Sequence, residues 1–359
     1  MAKIHIFNPE HELALAFGKA NFTPPAAGRG MRRWLGFLPA FWASDGDIVV
    51  VDNLQDALNA ASEYRRYLAD VAFAEPKMLP AVMREVADGI KGVEPWGWNT
   101  ALRRQMIRAG VPEGLMPSEA QLNAIRLLSH RRSSIGVLAH LTENVPGTVG
   151  ERDELQTYDM VRQWLDNHSG VGVLKAPWSS SGRGVKFALA GIDSSLVGFV
   201  HNTLLRQGGI IVEPYYERSF DFAMEFVADG KGNAEYMGLS AFDTKHGAYN
   251  GNMIAPEFDK WHIINVLMPK DSLLRAKTIL KKRLGTLCRG VYSGPVGVDM
   301  MAVRVKDRLF LHPCVEINFR RTMGHVALSV AERVKSSFSR MRIVYANRQY
   351  KLVLEKDLP

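Results

Sequence analysis

The middle of the chain contains the Gly/Ser-rich stretch Val173-Leu-Lys-Ala-Pro-Trp-Ser-Ser-Ser-Gly-Arg-Gly-Val185. Apolar runs precede and follow it, so residues 179–184 are predicted to form the loop of a β-hairpin. Glycines let backbone N–H groups approach an anion closely, and serine hydroxyls add hydrogen-bond donors. Lys175, at the end of the first strand, would place an ammonium group against phosphate oxygens. Taken alone, the stretch is equally compatible with a plain surface turn, because Gly/Ser loops are common.

A second polar pattern lies in Val315-Glu-Ile-Asn-Phe-Arg320. Alternation along a strand places Glu316 and Asn318 on the same face, and Asp299 on a preceding strand could face them. Carboxylate and amide oxygens are the hard ligands that Mg²⁺ prefers. A polar outer strand face is the alternative interpretation. The apolar residues that flank both side chains favour a metal site that bridges ATP phosphates.

Two arginines follow this pattern. Arg320 continues the same strand face, where a guanidinium could neutralise a phosphoryl group in transfer or a substrate carboxylate. Arg321 points the other way on a regular strand and could be structural.

Together these segments resemble the ATP-grasp superfamily, with motifs like those of biotin carboxylase and D-alanine–D-alanine ligase. The stretch from Lys175 to Val185 is similar to the phosphate-covering loop of that family, and Glu213-Pro-Tyr-Tyr216 is similar to its adenine-binding hinge. Gly297-Val-Asp-Met-Met301 and Glu316-Ile-Asn-Phe-Arg320 resemble its metal-binding strands and catalytic arginine. The resemblance covers about residues 127–330. It implies an enzyme that uses ATP and one or two Mg²⁺ ions.

The resemblance implies roles for individual positions. Lys175 would contact the α and β phosphates, Glu213 would receive the adenine amino group, and Asp221 would bind the ribose. Arg320, together with Lys175, would be catalytic and would stabilise the transition state. The other implied nucleotide-binding residues are Ser179, Ser180, Ser181, Gly182, Arg183, Tyr215, Tyr216 and one of Arg131 and Arg132, which stand where the family has a phosphate-binding lysine. The implied metal ligands are Asp299, Glu316 and Asn318.

Two further segments are candidates for the acceptor site. Residues 242–252 are predicted to form a polar loop, where ATP-grasp enzymes direct side chains toward the acceptor carboxylate; a simple exposed loop is the alternative. Residues 7–12 follow the first predicted strand, the end at which open α/β sheets bind ligands. They could bind an amine or cap the next helix. The candidate substrate residues are Glu10, His11, Lys245, Tyr249, Asn250, Asn252, Arg321 and His325.

The remaining pattern predicts mixed α and β structure throughout. β-Branched runs near the N-terminus predict buried strands, and an apolar stripe with helical spacing runs from Leu54 to Ala72. A helix is predicted from Asp153 to His168, and a hairpin is predicted to turn at Lys306-Asp307. Thr322 to Ser337 is predicted to be largely helical.

We therefore predict an α/β (α+β) chain with two domains. Residues 1–126 would form the Rossmann-like domain that usually precedes an ATP-grasp module. Residues 127–359 would form the ATP-grasp domain, with two α+β subdomains and a lid loop near 179–184.

Composition narrows the partners and the location of the protein. The chain has 359 residues and a net charge of +8, with its basic residues dispersed and without a basic–aromatic RNA motif. We therefore expect no nucleic-acid partner, because an anionic substrate together with ATP accounts for the charge. No apolar run approaches the roughly 20 residues that span a bilayer, so no membrane partner is expected. The two cysteines and the lack of a signal-peptide pattern favour a reducing cytoplasm.

The leading functional hypothesis is an ADP-forming, C–N bond-forming ligase. It would activate a small-molecule carboxylate as an acyl phosphate and transfer it to an amine, or to a thiol. Kinase-like phosphoryl transfer to a small molecule is an alternative on the same fold, and a non-catalytic ATP-binding regulatory protein is another. The intact set of metal ligands and Arg320 argues against the last. Dimers are common in this family, so a homodimer is one option, and the sequence leaves the oligomeric state open.

Overall fold

Three β-sheets organise the chain, and the predicted mixture of α and β structure is confirmed. The computed structural model describes residues 1–179, 184–245, 248–335 and 338–356. Its sheets are a four-stranded parallel sheet, a four-stranded antiparallel sheet and a seven-stranded antiparallel sheet. Within these ranges no helix combines the length and the hydropathy needed to cross a membrane.

The parallel sheet is built by the first third of the chain, in the order β3-β2-β1-β4. Side-chain caps fix where two of its helices begin, because Asn53 accepts a hydrogen bond from Asp56 N and Asn99 from Leu102 N. The strands are β1 (Ala2–Ile6), β2 (Ile48–Val50), β3 (Ala72–Ala74) and β4 (Ile90–Pro95). The helices are α1 (His11–Phe17), α2 (Ala26–Leu35), α3 (Leu54–Ser62), α4 (Leu79–Glu85), α5 (Thr100–Arg108) and α6 (Glu119–Leu128).

The predicted helix from Leu54 to Ala72 is wrong in its second half. The α-helix stops at Ser62, and Ala72 begins a strand that pairs with β2. An apolar stripe does not distinguish a continuing helix from a short strand that completes a parallel sheet, since burial supplies the same residue types to both.

The middle of the chain folds around the small antiparallel sheet, in the order β5-β8-β6-β7. The predicted helix at Asp153 is wrong at its start, because residues 153–155 pair with β8 and the helix begins after the cap Thr157. The strands are β5 (Asp153–Leu155), β6 (Gly172–Lys175), β7 (Val185–Ala188) and β8 (Ile210–Glu213). The helices are α7 (Ile135–Asn144), α8 (Tyr158–Asn167) and α9 (Ser194–Gln207).

The last third of the chain forms the seven-stranded sheet, in the order β13-β12-β9-β10-β11-β14-β15. The predicted turn at Lys306-Asp307 is confirmed, because Val305 pairs with Arg308. The strands are β9 (Glu217–Ala228), β10 (Ala234–Lys245), β11 (Ala248–Met253), β12 (Gly294–Val305), β13 (Arg308–Asn318), β14 (Arg340–Ala346) and β15 (Gln349–Glu355). The helices are α10 (Glu257–Leu267), α11 (Lys270–Cys288) and α12 (Met323–Val334).

The polar segment 242–252 is not the predicted loop. Phe242 pairs with Asn252 and Thr244 with Tyr249, so the segment continues β10 into β11. Its polar composition reflects a strand face turned away from the core, which resembles a loop when only the sequence is read.

The two faces of the seven-stranded sheet differ in character. On β9, Phe222, Met224 and Phe226 are fully buried against the apolar stripe of α11. The alternate position Glu225 points to the opposite face, which α12 covers at its first turn. Register pairs Glu225 with Gly297, and Gly297 with Asn318, so this opposite face collects the polar residues.

The start of α12 lies unusually close to this polar face. A Cβ atom at Gly324 would lie 1.9 Å from Glu225 Oε1 and 2.6 Å from Ser240 Oγ. At Gly198, inside α9, an added Cβ would meet no atom within 4 Å.

Gly324 and Gly198 give a matched test of this packing. We expect Gly324→Ala to lower the free energy of unfolding by about 1–3 kcal/mol, because the new methyl group overpacks the interface. Gly198→Ala should raise it by about 0.5–1 kcal/mol, because alanine costs less backbone entropy in a helix. Urea unfolding monitored by circular dichroism measures both, and equal effects would contradict the close approach at Gly324.

Candidate functional site

A buried carboxylate, Glu213 at the end of β8, connects the two antiparallel sheets. Its side chain is 4% exposed and binds Lys175 Nζ through Oε2 at 2.7 Å and Arg152 Nε through Oε1 at 2.7 Å. Burial alone would raise the pKa of Glu213, but Arg152 and Lys175 outweigh it and lower the pKa to about 2. Burial, with further help from Arg152, lowers the pKa of Lys175.

Arg152 is a site residue that sequence reasoning missed. Its side chain is 1% exposed, and its Nη2 donates to the carbonyl oxygens of Cys314 at 3.2 Å and Val315 at 2.7 Å. It therefore fixes β8 to β13 next to Glu316. No local motif surrounds Arg152 in the sequence, because all of these partners lie far away along the chain.

The predicted metal ligands lie together on the polar face of the seven-stranded sheet. Asp299 on β12 pairs directly with Glu316 on β13, and Asn318 Nδ2 donates to Asp299 Oδ2 at 3.1 Å. Burial, followed by repulsion from Glu316 and Glu225, raises the pKa of Asp299 to about 7. Two carboxylates that face each other, with Glu225 on the same sheet face, favour a bound cation.

Arg131 and Arg132, the two candidates for one phosphate-binding position, lie in different surroundings. Arg131 is buried, and its Nη2 lies 2.8 Å from Glu316 Oε1 while its Nη1 donates to Ser179 Oγ at 2.6 Å and to the Ala176 carbonyl. Arg132 is 47% exposed, with Nη1 4.0 Å from Glu154. Arg131 therefore joins the polar cluster and Arg132 does not.

Arg320 lies just beyond the end of β13, and every arm of its guanidinium has a partner. Its Nη2 donates to Asn318 Oδ1 at 2.9 Å, its Nη1 to the Arg321 carbonyl at 2.9 Å, and its Nε to Glu12. Glu12 lies in the first turn of α1. The parallel sheet therefore supplies a carboxylate that orients Arg320, a contact that sequence reasoning did not predict.

The other residues implied for nucleotide binding are placed less closely together. Tyr216 packs edge-on against His312 with ring centroids 5.7 Å apart, and the half-exposed Tyr215 packs edge-on against Phe187 at 6.0 Å. Asp221 accepts a hydrogen bond from Thr244 Oγ1 at 2.9 Å, and burial raises its pKa. The calls on Ser180, Ser181, Gly182, Arg183 and the Lys245 side chain fall outside the described residues.

The substrate candidates divide into separate groups. Asn252 Nδ2 donates to Ser240 Oγ at 2.7 Å on the polar sheet face, and Tyr249 OH donates to Asn252 Oδ1 at 2.5 Å. His325, in the first turn of α12, has Nδ1 2.9 Å from the buried Glu225 Oε2. Asn250 lies at the edge of this group, where its carbonyl accepts from Arg342 Nε at 3.3 Å.

The other three substrate candidates, Arg321, His11 and Glu10, lie outside this group. The Arg321 guanidinium lies over the Trp42 ring, 4.4 Å from its centroid. His11 is 1% exposed, and burial, followed by the charge of Arg320, lowers its pKa to about 3, so it is neutral at physiological pH. Glu10 faces away from the metal strands, toward Arg32 at 3.1 Å.

No group of three or more His, Cys, Asp and Glu side chains within the described ranges has the geometry of a metal site. The Asp299 cluster has two carboxylates, Asp299 and Glu316, and the amide of Asn318.

Known proteins resemble this chain in structure but not detectably in sequence. No family model and no curated protein matches it. The biotin carboxylase domain dimer of Hydrogenobacter thermophilus 2-oxoglutarate carboxylase, with MgADP, ADP and bicarbonate, is 13% identical; the match covers 93% of this chain and 69% of that chain, with a TM-score of 0.53. The βγ-ATP complex of Campylobacter jejuni biotin carboxylase is 13% identical over 98% and 73% of the two chains, with a TM-score of 0.51. The ADP complex of Staphylococcus aureus N5-carboxyaminoimidazole synthetase is 13% identical over 89% and 71%, with a TM-score of 0.50. These matches show a shared fold.

The raised pKa of Asp299 makes a prediction about stability. Its folded pKa of about 7 lies above the ordinary value of 3.8, so folding takes up a proton between these pH values. In metal-free protein, the stability of wild type relative to Asp299→Asn should therefore fall as pH rises from about 4 to about 7 and then level off. Urea unfolding across this pH range measures the difference.

A second variant separates this effect from general pH sensitivity. Glu316→Gln removes one of the charges that raise the pKa of Asp299, so the decline should become smaller and shift to lower pH. A pH-independent difference between wild type and Asp299→Asn would contradict the assignment.

Proposed function

We propose that this chain, which has the ATP-grasp fold, uses ATP to activate a carboxylate as an acyl phosphate and passes the acyl group to an amine or a thiol. The observation that carries the proposal is the polar sheet face on which Asp299, Glu316 and Asn318 meet Arg131 and Arg320. The adenine nucleotides bound in three similar structures support ATP as the cosubstrate.

The donor set of this face fits Mg²⁺. Asp299, Glu316 and the amide oxygen of Asn318 would hold it, because hard oxygen donors suit this ion. Burial, followed by repulsion from Glu316, raises the pKa of Asp299, and a bound cation would offset that repulsion. When bound, Mg²⁺ neutralises charge on the ATP phosphates.

The cations of the site would act on the phosphate groups. Glu213 holds Lys175 at the end of β6. The Glu213 carboxylate uses two of its lone pairs for Lys175 and Arg152, so its other lone pairs could accept a hydrogen bond from an adenine amino group. Arg131 bridges Glu316 and Ser179, so it stands between the metal strands and the start of the glycine-containing loop. Arg320, fixed by Glu12, would stabilise charge that develops on the transferred phosphoryl group.

The proposed reaction needs no oxidant or reductant. A carboxylate oxygen of the substrate attacks the γ-phosphorus, the bond from this phosphorus to the bridging oxygen breaks, and ADP leaves. The amine nitrogen then attacks the acyl carbon, phosphate leaves with the electron pair of the C–O bond, and the nitrogen loses a proton. Such phosphoryl transfer depends mainly on positioning and charge neutralisation, which this site supplies.

Hydroxylamine distinguishes this reaction from its alternatives. With ATP, Mg²⁺ and a panel of carboxylic acids, we expect the protein to release ADP and form a hydroxamate, because hydroxylamine captures an acyl phosphate. A stable phosphorylated product with no hydroxamate would favour a kinase-like reaction. ATP binding without ADP release across the panel would favour a non-catalytic protein.

The same assay tests the site residues. Lys175→Ala and Glu316→Ala should each remove most hydroxamate formation, by about 100-fold or more, because each removes charge from a preorganised site. Thermal unfolding confirms that both variants fold. Wild-type activity in both would contradict the site.

Arg131 and Arg132 provide a matched pair of adjacent arginines. We expect Arg131→Gln to lower kcat/KM for ATP by about tenfold or more, since it removes the guanidinium next to Glu316 and Ser179. Arg132→Gln should change it by less than about twofold, because that side chain is exposed and outside the cluster. Equal losses in the two variants would show that Arg131 has no particular part in ATP turnover.

A further inference from the structure

A cleft of about 620 Å³ opens at the carboxyl ends of the strands of the parallel sheet. Its walls come from α1, α5 and residues 20–24 between α1 and α2. None of the residues that form the polar face around Asp299 lines it. Clefts of roughly 300–1,000 Å³ hold small molecules, and the carboxyl edge of an open parallel sheet is where such folds bind them.

The floor of the cleft contains an unsatisfied carboxylate oxygen. Glu10 is 6% exposed, and its Oε1 accepts from Arg32 Nη1 at 3.1 Å. Its Oε2 is buried and has no hydrogen-bond partner among the described residues. A buried carboxylate oxygen without a donor is costly, so this atom favours a ligand that brings an N–H or O–H group.

The rim of the cleft carries positive charge, which favours a ligand with an anionic group. Arg104 and Arg108 lie one turn apart on α5, both exposed, and neither forms an ion pair or a side-chain hydrogen bond within the described part of the chain. Like charges four residues apart on a helix repel each other. Two unpaired guanidinium groups at the mouth of a cleft suit an oxyanion, which can accept several of their donors at once.

Neighbouring groups leave this rim positive. Arg32 at the floor is already paired with Glu10 and with Asp52 at 3.1 Å, and Lys77 is paired with Glu75 at 2.8 Å. Carboxylates of the protein therefore balance the charges of Arg32 and Lys77. The charge available to a ligand comes from Arg104 and Arg108.

We propose that this cleft binds a small molecule with a phosphate or carboxylate group at one end and a hydrogen-bond donor, such as an ammonium group, at the other. The oxyanion contacts Arg104 and Arg108, and the donor reaches Glu10 Oε2. Because no residue of the nucleotide cluster lines the cleft, the site stands independently of the proposed ligase activity.

Isothermal titration calorimetry without ATP tests the proposal with three probes. O-Phosphoethanolamine carries a phosphate and an ammonium group, β-alanine carries a carboxylate and an ammonium group, and ethyl phosphate carries the anion alone. We expect saturable binding of at least one of the first two, about tenfold or more tighter than ethyl phosphate, because only they supply the donor. Which of the two binds tighter identifies the preferred oxyanion. Absence of saturable binding by all three, or equal affinity for ethyl phosphate, would overturn the proposal.

Variants locate the binding. The double variant Arg104→Gln/Arg108→Gln should weaken the tighter probe by about tenfold or more, and both positions are exposed, so folding should be retained. Arg206→Gln on α9 removes one positive charge from an exposed helix position outside the cleft and should leave the affinity unchanged. Equal affinities in the double variant and in wild type would place the probe elsewhere.

Two further variants address the donor and the link to ATP. Glu10→Gln should reduce the preference for O-phosphoethanolamine over ethyl phosphate; if it does not fold, the comparison of probes on wild type still decides this half of the proposal. Lys175→Ala should bind the probes as wild type does, whether or not ATP turnover is found. A loss of probe binding in Lys175→Ala would show that the cleft is not a separate site.

Discussion

The buried carboxylate of Glu213 is the interaction on which the site depends. It binds both Lys175 on the neighbouring strand and Arg152, which in turn donates to two carbonyl groups of β13. Removing one member of such a buried group leaves an uncompensated charge, which costs about 3–5 kcal/mol. The group therefore sets the distance between the two antiparallel sheets, and with it the position of Lys175 relative to Glu316. The bonds of Glu213 and Arg152 therefore hold the end of β6, with Lys175, against β13, which carries Glu316.

On the polar face of the seven-stranded sheet, by contrast, acidic side chains lie close to one another. There Asp299, Glu316 and Glu225 repel one another, and the cations that reach the face contact its edges: Arg131 binds Glu316, and Arg320 binds Asn318. The apolar opposite face and α11 stabilise the strands well enough to hold these charges together. Strain of this kind is typical of sites that a ligand completes, because a cation relieves the repulsion that the protein alone leaves in place.

The sequence predicted the parts of this arrangement that depend on local pattern. Alternation placed Glu316 and Asn318 on one face, and the turn at Lys306-Asp307 followed from the hairpin pattern. It could not predict Arg152 or the contact from Glu12 to Arg320, because those partners lie far apart in the chain and no spacing links them. The ATP-grasp fold is confirmed, whereas the boundary between the two domains and the roles of individual site residues stay predictions.

The errors at the polar segments share one physical cause. The segment 242–252 reads as a loop because it is polar, and it is polar because one of its strand faces is turned away from the core. Functional residues disturb the hydrophobic periodicity on which secondary-structure prediction rests, so the pattern fails where chemistry is concentrated. Residues 7–12 behave in the same way. Glu10 and Glu12 lie two positions apart, yet Glu10 faces the cleft beside Arg32 whereas Glu12 binds Arg320 at the end of β13. One short turn therefore contacts both the cleft and the end of β13, and no reading of the residues in order could assign each acid to its partner.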